Sequence, residues 1–296
     1  MLLLMVALLG DSAPPRAVTV AAAETLAVHV VGTGRPVVLI PGLFGAAYAY
    51  RNVAPDLAAA GRQTITVELL GTGASSRPAR ADYSLAAQAQ RLAAVLDTLQ
   101  VRGAILVAHS LGAAVAMRLA VERPDLVAGL VSIEGGPAET ATSAGFRRAM
   151  AWAPLLKLFG GKGIVRGKVV KQLHESSADT AWITPAVIEG YTAGAMADFG
   201  ATLDAFQGMA RAKEPWALGP RLGEMRCAMV LVLGGTPHSS APPAAEVALL
   251  SDSVRVFAIE SVPDAGHFVF EEQPAAVGQA VQRIELSWLM GTYARR

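Results

Sequence analysis

Short apolar runs alternate with amphipathic stretches along most of this chain, and that alternation predicts its architecture. Val37-Val38-Leu39-Ile40 reads as a buried strand ending at Pro41-Gly42, and Thr64 to Leu69 as a second strand running into a glycine-rich loop. Ile105-Leu106-Val107, Leu126 to Ile133, Met229 to Leu233 and Val254 to Ile259 continue the series, and residues 17–31 predict two short strands turning at Ala23-Glu24-Thr25. Helices are expected over residues 49–60, from a Ser84 cap to about Leu99, from Ala113 to about Glu122, near 242–250 and from Pro274 onward. Buried strands alternating with helices form a mostly parallel sheet covered on both faces, because each crossover lays a helix against one side. Ligand sites in such sheets lie beyond the carboxyl ends of the strands. Pro41-Gly42, Gly71, Ser110 and Glu134 each follow such an end, which puts them on one rim although they are far apart in sequence.

After Gly136 the alternation stops. Residues 138–222 hold no convincing strand but several helical stretches rich in Ala, Met and aromatics, among them Trp152, Phe159, Trp182, Tyr191, Phe199 and Phe206. The strand–helix alternation then resumes. An excursion that leaves and re-enters a sheet at one edge predicts an inserted helical cap over 138–222, between core segments 17–137 and 223–296. The aromatics of that cap are expected to pack between its helices, and as a group to roof an apolar pocket.

Composition narrows the function classes. The chain has 296 residues, 53% hydrophobic and 17% charged, which fits one large α/β domain or a core with an insertion and argues against extensive disorder. The formal net charge is +1 and no block of like charges stands out, so no nucleic-acid partner is expected. The single cysteine, Cys227, excludes an intrachain disulfide and any Cys-based zinc site. Residues 1–16 form a leader in which Leu2 to Leu9 is apolar and Asp11 to Arg16 polar and proline-bearing. It reads as a signal-peptide core without its basic front, implying export, or as an apolar leader on a cytoplasmic protein. It is too short to span a bilayer, so stable membrane insertion is not expected.

The residues that carry chemistry start at Ala108-His109-Ser110-Leu111-Gly112. An apolar strand stops, a serine follows in a turn of small residues, and a helix begins. Such a turn lifts a hydroxyl off the end of a sheet and sets a helix N-terminus beneath any negative charge that develops there. A serine hydroxyl is a poor nucleophile until a base takes its proton, so a partner histidine is expected elsewhere in the chain.

With these motifs the chain resembles the α/β-hydrolase superfamily, in its serine-nucleophile group with a helical cap (esterase- and lipase-like), over roughly residues 26–135 and 225–290. The resemblance implies an α/β-hydrolase fold with Ser110 as nucleophile. Pro41-Gly42-Leu43-Phe44-Gly45 looks like the family's oxyanion loop, which implies an oxyanion hole made by the backbone amides of Leu43 and Leu111. The family often has His-Gly where this chain has Pro41-Gly42, but a backbone donor does not depend on that side chain. Glu68 to Ser75 resembles the family's D-x-x-G-x-G-x-S loop and implies a structural role for Glu68. Gly266-His267-Phe268 looks like the catalytic histidine loop, which makes His267 the base. The family usually takes its triad acid from the loop after the strand that follows the cap. Here that loop reads Gly235-Thr236-Pro237-His238-Ser239-Ser240, with a histidine in the acid's place. Some members take the acid from the end of the strand after the nucleophile strand, which in this chain is Glu134. Alternatives are Asp264, or a Ser–His pair helped by water or by a neutral acceptor such as His238. Glu134 would otherwise serve as an ion-pair partner for a cap residue among Arg147, Arg148 and Lys157. Phe44, His109 and Phe268 are candidates to line the pocket.

The expected activity is hydrolysis of a small to medium, apolar carboxylic ester through an acyl-enzyme, with no metal and no organic cofactor. C–C bond hydrolase, lactonase, amidase and cofactor-free perhydrolase chemistry use the same centre, and a non-catalytic small-molecule-binding protein of this fold is a further alternative. Serine at the turn argues against haloalkane dehalogenase and epoxide hydrolase chemistry, in which an aspartate is the covalent nucleophile. The sequence leaves the oligomeric state open.

Overall fold

Residues 14–289 are described by a computed structural model; most of the leader lies outside them. Eight strands form one sheet in the order β1-β2-β4-β3-β5-β6-β7-β8. β1 (Arg16–Ala21) and β2 (Glu24–Val31) make an antiparallel hairpin, and β2 also runs antiparallel to β4 (Arg62–Val67). From β4 onward every pairing is parallel, through β3 (Arg35–Ile40), β5 (Ala104–His109), β6 (Val127–Ile133), β7 (Ala228–Gly234) and β8 (Phe257–Val262). This is the expected α/β-hydrolase fold.

Strand side chains alternate between the faces, and the two cores follow that alternation. Val37, Leu39, Ile105 and Val107 point to one side, against α1 (Val53–Ala59) and α11 (Pro274–Leu289). Val38, Ile40, Leu106 and Ala108 point to the other, against α2 (Leu85–Thr98) and α3 (Leu111–Glu122). β5, with neighbours on both edges and helices on both faces, is buried at every position. The nucleophile candidate therefore stands at the end of a strand supported on both edges and both faces.

Two expectations about elements need correction. Residues 49–60 do not form one helix: a 3₁₀ turn, Ala47–Tyr50, precedes α1. Pro55 explains the break, because inside a longer helix it would lack a donor and clash with the preceding turn, whereas in the first turn of α1 it is tolerated. The last strand begins at Phe257 rather than Val254. Val254 instead closes α9 (Ala244–Ser253), its N–H donating to the Leu250 carbonyl at 2.9 Å. β8 is also no buried strand; it is the edge of the sheet, with Ile259 49% exposed.

Between β6 and β7 the chain leaves the sheet for α4 (Ala144–Met150), α5 (Ala153–Leu158), α6 (Lys162–Glu175), α7 (Pro185–Ala197) and α8 (Phe199–Arg211). Ser143, Thr184 and Asp198 cap α4, α7 and α8 by accepting from the N–H groups of Phe146, Val187 and Ala201. Phe206 packs edge-on against Phe44 of the core and against Phe146. Trp152 and Phe159 do not pack as expected. They flank α5, a helix whose one buried residue is Ala153, and are 64% and 78% exposed.

Candidate active site

Ser110 follows β5 with φ 51° and ψ −117°, a conformation that costs a non-glycine residue about 1–3 kcal/mol. The surroundings hold it there. Its N–H donates to the Ile133 carbonyl and its carbonyl accepts from Ala113, both at 3.0 Å. A Cβ at Gly135 would lie 2.3 Å from the Ala113 Cβ and 2.7 Å from the Ser110 carbonyl oxygen, and one at Gly112 would lie 2.6 Å from the Ile40 carbonyl oxygen. The two glycines thus let the turn close against β6 on one side and the end of β3 on the other. Leu111 opens α3, so its amide is among those without an intrahelical acceptor. Neither it nor the Leu43 amide donates to any described residue.

Glu134 repeats the pattern one strand over. It follows β6, has φ 52°, and donates its own N–H to the Val232 carbonyl at 2.9 Å. β5 and β6 are in register with His109 beside Ile133, so the two strained residues end neighbouring strands at the same level. The Glu134 side chain is fully buried. Oε1 accepts from the Gly234 N–H at 2.6 Å, and Oε2 lies 3.6 Å from Nδ1 of His267 and 3.3 Å from Nε2 of His238. Neither of these contacts has hydrogen-bond geometry. The sequence marks Glu134 as a candidate acid and places His238 in the acid's usual loop, but nothing in it shows that both histidines meet one carboxylate oxygen.

His267 is seated by its loop. Its N–H donates to the Ser176 carbonyl at 2.7 Å, and the preceding Gly266 N–H donates to Glu272 at 2.8 Å. Its ring lies 4.5 Å from that of His109 and 5.2 Å from that of Phe268. Nε2 of His109 is 3.1 Å from the His267 carbonyl oxygen, which can only accept, so His109 carries its proton on Nε2. Burial, and then the neighbouring His267, push His109 well below the ordinary histidine range; it is neutral at neutral pH. His238 is also held below that range, first by burial and against the pull of Glu134.

The other candidates fall elsewhere. Asp264 is exposed and forms no hydrogen bond or ion pair with His267 among the described residues. Arg147 binds the Thr142 carbonyl and Lys157 pairs with Asp204, so neither meets Glu134. Glu68 accepts from the amides of Ala47 and Ala74, bracing the oxyanion-loop segment against the Gly71–Ser75 loop.

One cavity of about 500 Å³ gathers the pieces. Ser110, Leu111, Leu43, Phe44, His109, His267 and Phe268 line its floor, and Phe146, Val169, Leu173 and Tyr191 its helical wall. Tyr191 is among the aromatics expected to roof an apolar pocket; Phe146, Val169 and Leu173 are not marked by the sequence, because an apolar residue on a helix does not show which cavity it faces. At the rim, Gln172 and Ser176 of α6 and its C-cap hydrogen-bond to Ser240 in the loop after β7, tying the helical segment to the site.

The fold is that of the α/β hydrolases. Over residues 35–156 the chain matches the family model described as alpha/beta hydrolase fold. Among curated proteins it is 33% identical over 119 residues to sn-1-specific diacylglycerol lipase ABHD11 of Xenopus laevis, covering 40% of this chain and 38% of that one. It is 31% identical over 188 residues to haloalkane dehalogenase of Mycobacterium marinum, covering 60% and 59%. The chain thus spans less than two thirds of the length of either relative. Among solved structures, a thermophilic esterase from Thermogutta terrifontis superposes with a TM-score of 0.75 at 22% identity, covering 95% of this chain and 100% of that one. The chain thus has the fold of the α/β hydrolases, and residues 35–156 carry the match to that family's model.

Proposed function

We propose that this protein is a serine hydrolase acting on a small to medium carboxylic ester through an acyl-enzyme on Ser110. The observation that carries the reading is the meeting of Ser110 and His267 in one cavity, with Nδ1 of His267 facing the buried carboxylate of Glu134. In this reading Nε2 of His267 takes the Ser110 proton as Oγ attacks the acyl carbon, then delivers it to the leaving alcohol. Glu134 holds the Nδ1–H tautomer and stabilises the imidazolium. The 3.6 Å separation is longer than a hydrogen bond, and such contacts tighten once substrate is bound. The Leu43 and Leu111 amides receive the oxyanion, each donor of this kind contributing about 10²–10³ in rate. Water then releases the acid by the reverse proton path. The apolar lining of Phe146, Val169, Leu173 and Phe268 favours an apolar acyl or alcohol group.

Short p-nitrophenyl esters and a fluorophosphonate probe test this directly. Turnover and labelling are expected in the parent, with Ser110→Ala losing the label and at least about 10³-fold in kcat. A parent that neither turns over esters nor takes the label would point to the binding-protein alternative.

A further inference from the structure

We propose that Glu134, His238 and His267 form a binding site for a divalent transition-metal cation of the zinc type, and that its occupancy silences Ser110. The silencing rests on the serine-hydrolase reading above; the site itself does not.

The three ligands arrive from three segments at the carboxyl end of the sheet: the end of β6, the loop after β7 and the loop after β8. Glu134 Oε2 lies 3.3 Å from His238 Nε2 and 3.6 Å from His267 Nδ1, and all three atoms are within 4.8 Å of one another. Ligands at about 2.0–2.1 Å around a tetrahedral ion stand about 3.3 Å apart, so the two shorter separations already suit such an ion. A carboxylate oxygen with two imidazole nitrogens suits zinc and its neighbours rather than calcium or magnesium, which prefer all-oxygen shells. The side chains of Glu134, His238 and His267 are 0%, 3% and 9% exposed. None of the three facing atoms has a hydrogen bond within the protein. Buried polar atoms normally have partners. Here three orphans face one another, and a cation would satisfy them together. Two contacts already steady the ligands: the Gly234 N–H donates to the other oxygen of Glu134, and the Ser176 carbonyl accepts from the His267 backbone N–H.

Occupancy and catalysis exclude each other by proton placement. The base needs a lone pair on Nε2 of His267 and a proton on Nδ1. A cation bound at Nδ1 takes that lone pair, and the neutral ring keeps its proton on Nε2. Nothing is then left to accept the Ser110 proton, and Glu134 is engaged as well. The cation adds two positive charges beside one carboxylate, and no electron moves.

Zinc alone is the probe. Chelator-treated full-length Ser110→Ala protein is titrated with Zn²⁺ by calorimetry, and with Co²⁺ by visible absorption. One equivalent is expected, with the Co²⁺ bands of a four-coordinate nitrogen–oxygen site. Ester hydrolysis by the parent should fall over the same free Zn²⁺ range and return on adding EDTA. His238→Ala should weaken Zn²⁺ binding and inhibition together by at least about 10-fold while keeping metal-free hydrolysis, since even an outer-shell loss costs about 10–100-fold. Should that variant not fold by circular dichroism, His238→Gln fills the space with a poor ligand and is read the same way. Absence of stoichiometric binding below about 1 mM, an affinity of only about 4 kcal/mol, overturns the site, as does unchanged affinity in the His238 variant. If the parent hydrolyses no ester, the hydrolase reading fails while calorimetry and the Co²⁺ spectrum still decide the site. Stoichiometric binding that leaves hydrolysis intact overturns the silencing.

Discussion

Ser110 and Glu134 share a positive φ that their residue types avoid, and they end adjacent parallel strands. Strain of this kind persists only where neighbours over-determine it, and it clusters at functional positions. The role given to Glu134 makes a sharp expectation for Glu134→Gln. The amide oxygen still accepts from the Gly234 N–H, so stability should stay within about 1 kcal/mol of the parent. Without the negative charge the tautomer and the imidazolium lose support, and kcat should drop by about 10²–10⁴-fold. Thermal melts and ester kinetics on one preparation separate the two effects; near-full activity would remove Glu134 from the catalytic set.

At the scale of elements, the centre depends on close approach between the β5–α3 turn and its neighbours. Gly135→Ala would press a methyl group against Ala113 and against the Ser110 carbonyl, both of which belong to the turn. Overpacking against backbone costs about 1–3 kcal/mol, and a displacement near 1 Å can cost about 10² in rate. The expected result is a folded, less stable protein that reacts slowly with the fluorophosphonate; parent-like labelling would show that the turn has slack. The helices between β6 and β7 are another matter. Their existence was legible as the region where strand periodicity ends, but Trp152 and Phe159 turned outward and Tyr191 inward. Helical periodicity in stretches this short does not say which face meets the core.

For the molecule as a whole, two histidines favour the neutral form in the fold. Burial lowers both His109 and His238 from the ordinary value of 6.5. In the unfolded chain they take up protons as the pH drops through that value, while the folded protein does not. The unfolded state then binds more protons, and stability falls with it. Thermal unfolding should therefore be flat above about pH 6.5 and lose midpoint progressively below it. His109→Gln keeps a donor for the His267 carbonyl but cannot charge, so its slope should be shallower. An unchanged slope would mean that His109 does not report the transition.

The sequence alone determined what depends on local order: buried strands alternating with helices, a serine in a tight strand-to-helix turn, and a histidine between the last strand and the last helix. Strand pattern and turn chemistry are properties of neighbours in the chain, and they fix the carboxyl-end rim wherever the strands come to pair. It could not decide which carboxylate faces His267, which residues wall the cavity, or that His238 meets the same oxygen of Glu134. Those depend on registers between strands and on loops whose ends are brought together by packing. His238 and Glu134 lie about a hundred positions apart, and only the parallel pairing of β6 with β7 sets them side by side.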